Sequence, residues 1–264
     1  MKGMEKMKVL KIVSIILAFV LCVTLASCSA SKDEEPEEKE DKEAFEPLPE
    51  SDPEPEPQPE PDFVSDLSGY EKYMNPENRD EYLFLVSVDS PLDSDYVPGD
   101  LMGCKFTRED GRAVQKLREY ACKSLEALLT EAEACGISSV SVTSGYRSYD
   151  YQNYLFQNEI SLMGSEEEAA KNVNPPGSSE HQSGLCVDMH NLPSASVAFA
   201  GTEEAVWLEE NAHKFGFILR YPEDKTEVTG INFEPWHFRY VGRYHATQMY
   251  NLQMCLEEYI EYIK

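Results

Sequence analysis

The sequence predicts an α+β fold: a single domain with a small central antiparallel sheet flanked by helices. Two observations point to it. Strand-like and helix-like segments follow one another without a strict βαβ rhythm. In addition, the first 62 of the 264 residues lack the composition of a folded core, which leaves about one domain's worth of chain.

The chain opens with Lys2, Lys6, Lys8 and Lys11 against the single Glu5, and residues 9–26 are apolar apart from Lys11 and a few small polar residues. That pattern fits a secretory signal. A lone membrane-spanning helix is the competing reading, because the run approaches the ~20 residues that cross a bilayer. Leu25-Ala26-Ser27-Cys28 resembles the bacterial lipobox, in which cleavage precedes the Cys and its thiol is lipidated. Residues 1–27 are therefore expected to be a lipoprotein signal peptide, with Cys28 as lipidation site and the rest extracytoplasmic, lipid-anchored to the cell membrane.

Residues 29–62 hold 15 Asp or Glu, three Lys and eight of the sixteen Pro. Such a segment cannot bury a core, and its repelling carboxylates and stiff prolines keep it extended. Residues 28–62 thus read as the lipidated Cys and a disordered acidic Pro-rich linker, and 63–264 as the catalytic domain.

The net charge is −26, and the folded part is acidic after the ends are set aside. Nucleic acid is excluded as a partner, since its binding rewards clustered Lys and Arg. Beyond Cys22 and Cys28, five thiols remain (Cys104, Cys122, Cys135, Cys186 and Cys255), none spaced as CxxC. A thiolate zinc knuckle is unsupported, and no disulfide pairing follows from the spacing.

Within the domain, residues 82–88 are aromatic and β-branched and read as a strand ending at Pro91. Residues 109–135 place apolar side chains at helical steps and stop at Gly136, predicting one long helix. A short strand at 140–142 runs into Arg147 at a corner, followed by a helix over 149–163. After Pro175-Pro176-Gly177, residues 184–189 read as a strand, 203–215 as a helix, 217–221 and 236–241 as strands, and 243–263 as a closing helix.

Metal chemistry must come from five His and the carboxylates. A catalytic zinc takes three protein ligands and keeps a fourth position open for water. His181 and Asp188 lie seven apart, the first on a loop after the Pro-Pro-Gly and the second on a strand. In Glu234-Pro235-Trp236-His237-Phe238-Arg239, a carboxylate precedes a His by three. A lone His is more often a satisfied core residue than a ligand, and acidic residues abound here; the combination is far more specific.

The two segments match the S-x-H-x-x-G-x-x-x-D and E-x-W-H-x-R signatures, in the same order, so the chain resembles the D-alanyl-D-alanine carboxypeptidase family, VanY-type. The likeness takes in Ser144-Gly145-Tyr146-Arg147-Ser148 and residues 216–222 and covers roughly 82–242. It implies a hedgehog/D,D-peptidase-like fold. It also implies Zn2+ held by His181, Asp188 and His237, Glu234 as general base, and Arg147 gripping the terminal carboxylate of a peptidoglycan stem peptide ending in D-Ala. Ser179 would steady the loop or the peptide, and Trp236 would pack beneath His237.

The chemistry agrees: a guanidinium fork suits a carboxylate, and a positioned Glu can move a proton. Two positions depart from the pattern. Cys186 replaces the usual small residue before Asp188 and could bind zinc adventitiously, and His190 shares a strand face with Asp188 and could compete as a ligand. D,D- and L,D-carboxypeptidases share the matched residues. A non-catalytic wall-binding lipoprotein is the reading from another class, disfavoured by Glu234, which mere binding does not need.

Overall fold

Two central strands buried on both faces position everything else. The computed structural model describes residues 61–74 and 80–264; the 1–27 signal, Cys28 and nearly all of the linker lie outside the described residues. β1 (Leu101–Gly103) and β2 (Lys116–Arg118) pair antiparallel, with Met102 opposite Leu117. β3 (Ser141–Ser144), β4 (Cys186–His190), β5 (Phe217–Leu219) and β6 (His237–Tyr240) form an antiparallel sheet in the order β3-β4-β6-β5. The helices among the described residues are α1 (Glu119–Ala134), α2 (Tyr149–Met163), α3 (Glu166–Ala169), α4 (Glu203–Asn211), α5 (Thr226–Thr229), α6 (Arg243–Leu252) and α7 (Leu256–Tyr262).

Every residue of β4 and β6 is buried. One face sends Val187, Met189, Phe238 and Tyr240 into the main apolar core with Leu125 and Leu128 of α1, Leu208 of α4 and Phe215. Each fully buried Leu or Phe there contributes about 1.5–3 kcal/mol relative to exposure. Alternation therefore turns Cys186, Asp188, His190, His237 and Arg239 to the other face. A buried polar face is stable only if its groups are paired.

Glu180 supplies much of that pairing. Its Oε1 lies 2.9 Å from both Arg220 Nε and Arg239 Nη1. Arg220 also forks onto Glu257 of α7 at 2.9 and 2.6 Å, and Arg239 Nη2 donates to the carbonyls of Tyr82 and Phe84 at 3.0 Å each. Burial alone would raise the Glu180 carboxyl, but the two guanidinium groups hold it far below its usual range.

The helix at 149–163 falls where its sequence places it: Ser148 caps the Tyr151 N–H at 3.2 Å, and the chain turns left-handed at Gly164. Other expectations need correction. Residues 82–88 form no strand: a short 3₁₀ turn (Asp80–Tyr82) leads into irregular chain, because Arg239 rather than a neighbouring strand satisfies its carbonyls. Leu83 and Leu85 nevertheless pack on the second apolar cluster, around Ile218 and Val241.

The helix expected at 109–135 begins only at Glu119, since residues 116–118 are claimed by pairing with β1. The helical stretch at 203–215 becomes α4 and a 3₁₀ turn (Ala212–Phe215). The 184–189 strand runs two residues later at its start and ends at His190, 217–221 stops at Leu219, and 236–241 shortens to β6. The closing helix breaks into α6 and α7 at Gln253, a non-glycine in the left-handed region (φ 54°).

Glu180→Ala is expected to cost about 3–5 kcal/mol of unfolding free energy, because it removes the one buried carboxylate shared by two buried guanidinium groups. Urea titration measures it. The gap from the unsubstituted protein should narrow as pH falls below 4.5, since a carboxyl with a depressed folded pKa stabilises above its unfolded value and loses that contribution on acidification. A loss under about 1 kcal/mol, the scale of an exposed pair, would remove Glu180 from this role.

Candidate active site

His181 rides on the 3₁₀ turn Glu180–Ser183, which Ser179 opens and Gly184 closes with φ 69°. Its Nδ1 lies 2.7 Å from the Gly145 carbonyl. A carbonyl only accepts, so Nδ1 carries the proton and Nε2 presents its lone pair. That Nε2 is buried without a hydrogen-bond partner and stands 3.4 Å from Asp188 Oδ2.

The β4–β6 register sets Asp188 directly opposite His237. His237 Nδ1 is 3.2 Å from Asp188 Oδ1 and 3.4 Å from Glu234 Oε2, and its ring stands edge-on to His181 with centroids 5.1 Å apart. Its Nε2 and Asp188 Oδ1 also lack hydrogen-bond partners. Burial would raise the Asp188 carboxyl, but the two imidazoles hold it well below its usual value. Tyr221, not Trp236, is the aromatic ring resolved against His237, at 4.9 Å.

Glu234 sits on the turn entering β6, its N–H bonded to the Tyr221 carbonyl and its own carbonyl to the His237 N–H, both at 3.1 Å. Burial raises its carboxyl above the ordinary 4.5, the His237 ring opposes that, and nearby Asp188 adds to it. Arg147 stands at the corner between β3 and α2. Its Nε donates to Ser144 Oγ at 3.1 Å, Nη1 to Gln152 Oε1 at 2.9 Å and Nη2 to Asp188 Oδ2 at 3.4 Å. A fork held at three points and still partly exposed is ready for a second carboxylate.

Ser179 is buried at the mouth of the His181 turn, where its carbonyl accepts the Gln182 N–H at 3.1 Å. His190 does not join the cluster. β6 pairing ends at Asp188, and beyond it Arg108 takes the His190 carbonyl and stands 3.3 Å from its Nδ1, with Phe199 against the ring. Cys186 does join it: its Sγ and one ring nitrogen each from His181 and His237 lie within 4.8 Å of one another. Burial would raise this thiol, yet the two imidazoles hold it at about 7.

Sequence reasoning missed Glu180, Tyr221 and Gln152 as supports. Glu180 follows the motif Ser and precedes the motif His, so adjacency to His181 was the available signal.

The donor set fits a metal. Nitrogen and oxygen ligands of one tetrahedral zinc, bonded at about 2.0–2.2 Å, stand roughly 3.3 Å apart, and here His181 Nε2 is 3.4 Å from Asp188 Oδ2 and His237 Nδ1 is 3.2 Å from Asp188 Oδ1. Buried polar atoms left without partners ask for an occupant of this kind.

Two imidazoles and a carboxylate converging beside a carboxyl of raised proton affinity, on an α+β scaffold, define the class: a zinc-dependent peptidase. A profile described as VanY, D-alanyl-D-alanine carboxypeptidase, matches residues 114–243. The chain is 38% identical over 206 residues to the putative carboxypeptidase YodJ of Bacillus subtilis, spanning 76% of this chain and 74% of that protein. It is 37% identical over 188 residues to a D-alanyl-D-alanine carboxypeptidase of Enterococcus faecium, spanning 69% and 58%.

Among solved structures it resembles the LdcB LD-carboxypeptidase (TM-score 0.66, 37% identity, 72% of this chain and 89% of that one). It also resembles the vancomycin-resistance D,D-pentapeptidase VanY in complex with Zn(II) (TM-score 0.56, 35% identity, 68% and 98%). The chain belongs to the VanY-type D-alanyl-D-alanine carboxypeptidase family, whose members are zinc-dependent peptidases.

Replacing His181 or His237 by Ala is expected to abolish stoichiometric zinc retention in equilibrium dialysis, whereas Glu234→Ala should retain the metal. Full zinc occupancy in His237→Ala would dissolve the assigned ligand set.

Proposed function

We propose that this chain is a carboxypeptidase that hydrolyses the terminal D-alanine from peptidoglycan stem peptides, with His181, Asp188 and His237 holding Zn2+. The observation that carries it is Glu234, a partly buried carboxyl with raised proton affinity placed 3.4 Å from one imidazole of the pair. Zinc, when bound, polarises the scissile carbonyl and makes water a stronger acid. Glu234 takes the proton of the attacking water and returns it to the departing amine, and its raised pKa brings base and acid forms nearer to neutrality.

Arg147 pairs with the free terminal carboxylate of the peptide, which makes hydrolysis specific for the last residue. Ser144 and Gln152 keep the guanidinium oriented while it does so. His181 stays a lone-pair donor because Gly145 holds its other nitrogen protonated.

Removal of D-alanine from a pentapeptide stem is the first reading, supported by the family and by the D-alanyl-D-alanine carboxypeptidase relatives. Cleavage of the tetrapeptide by L,D-specificity is the second, favoured by the likeness to LdcB. Purified protein incubated with synthetic penta- and tetrapeptide stems should release D-alanine from the preferred one, lose activity on chelation and regain it with zinc. Glu234→Ala should slow turnover by about 100-fold or more. Release from neither stem with zinc present would end the hydrolase reading.

The export signal and Cys28 support an extracytoplasmic enzyme anchored through a lipid on that thiol, with the acidic linker as spacer. Cys28→Ala should move the protein from the membrane fraction to the medium. Unchanged partitioning would exclude Cys28 as the anchor.

A further inference from the structure

No step of the proposed hydrolysis uses Cys186. It stands on the polar face of β4, two residues before Asp188, fully buried (0% exposed) and free of any disulfide. Among the described residues, Cys186, His181 and His237 form a set whose ligand atoms all lie within 4.8 Å of one another. Sulfur and nitrogen donors on one tetrahedral ion, bonded at about 2.3 and 2.0 Å, stand roughly 3.5 Å apart. His181 Nε2 is buried without a hydrogen-bond partner, whereas His237 turns Nδ1 toward Asp188 and its buried Nε2 toward Glu180 Oε2, 3.8 Å away.

The two imidazoles are thus shared. Asp188 approaches them with oxygen at 3.2 and 3.4 Å, and Cys186 approaches them with sulfur. Hard and soft ions rank these donors in opposite order: thiolate favours Cd2+ and Cu(I), carboxylate favours harder ions, and zinc accepts both.

We propose that Cys186 is an alternative anionic ligand of this metal site, joining His181 and His237 in place of Asp188 for soft ions, so that the centre has a sulfur-containing ligand set that a His, Asp, His site lacks and one position stays open. The inference rests on the metal-site reading above. On binding, the S–H bond breaks, the sulfur lone pair forms the bond to the ion, and the proton leaves to solvent, with no change of oxidation state. A thiolate passes more charge to the metal than a carboxylate does. The centre should therefore hold soft divalent ions more tightly, and polarise a carbonyl less, than its oxygen-only counterpart.

Cobalt(II) reports both claims separately. The full chain, freed of metal by chelator, is titrated with Co2+ and its absorption recorded. Visible d–d bands show that the site holds an ion, and a near-ultraviolet thiolate-to-cobalt charge-transfer band shows a sulfur ligand. Both are expected. The charge-transfer band should vanish in Cys186→Ala and in the size-conserving Cys186→Ser while the d–d bands persist. In the same variants the preference for Cd2+ over Zn2+ should fall by at least about tenfold, the lower end of what changes around a metal ligand produce.

Visible bands without the charge-transfer band, or a charge-transfer band that survives both substitutions, overturn the role of Cys186 and leave the metal site intact. Absence of all cobalt bands overturns the metal site and this inference together.

Discussion

One buried carboxylate between two buried guanidinium groups is the constraint on which the site depends. Glu180 bonds Arg220 and Arg239 through a single oxygen, and all three side chains are almost fully shielded from water. Taking such charges out of water costs several kcal/mol per ion, repaid only when geometry and hydrogen bonding are complete. Completion comes from far along the chain: Glu257 on α7, and the carbonyls of Tyr82 and Phe84. The cluster therefore stitches β6, the end of β5, α7 and an irregular N-terminal segment to the residue that immediately precedes His181. A metal ligand next to a locked charge has little freedom to wander.

The second anchor of His181 works through sterics. Gly145, whose carbonyl sets the His181 tautomer, passes so close to the Lys116 carbonyl that a Cβ at 145 would lie 2.5 Å from that oxygen. Only glycine allows β2 and the β3–α2 corner to meet there, and the Tyr146 N–H bonds the same Lys116 carbonyl at 2.7 Å. The small β1–β2 ribbon, remote from the chemistry in sequence, thus fixes which nitrogen of His181 is protonated. The same corner carries Arg147, so ligand orientation and carboxylate recognition share one support.

What was legible in the sequence was local. Ser148 and Gly164 bracket α2, and the motif residues Glu234 and His237, three apart, lie on one turn and face each other. What was not legible depended on distant partners. The apolar run at 82–88 has strand composition, but its carbonyls are taken by an arginine 157 residues away. Lys116-Leu117-Arg118 continues the helical period of α1, and only its pairing with Leu101–Gly103 removes it from the helix. Glu180 is one of 49 acidic residues, and its importance lies in two arginines 40 and 59 positions on, which no spacing rule brings together.

The contrast among Cys186, Asp188 and His190 shows how a strand selects its ligands. All three alternate onto one face of β4, and by residue type His190 is as ready a zinc donor as either of the others. Selection follows the partner strand instead. β6 contributes His237 opposite Asp188 and then ends, so the imidazole it supplies is within reach of positions 186 and 188 only. Past that edge His190 meets Arg108; burial first, and then the Arg108 charge, lower its proton affinity, and the guanidinium occupies its carbonyl. Register, which a shift of one residue would invert across the sheet, decides the composition of the metal centre more firmly than the affinity of any single side chain. That makes the identity of residue 186, small in the family pattern and a thiol here, a direct variable of the centre's chemistry.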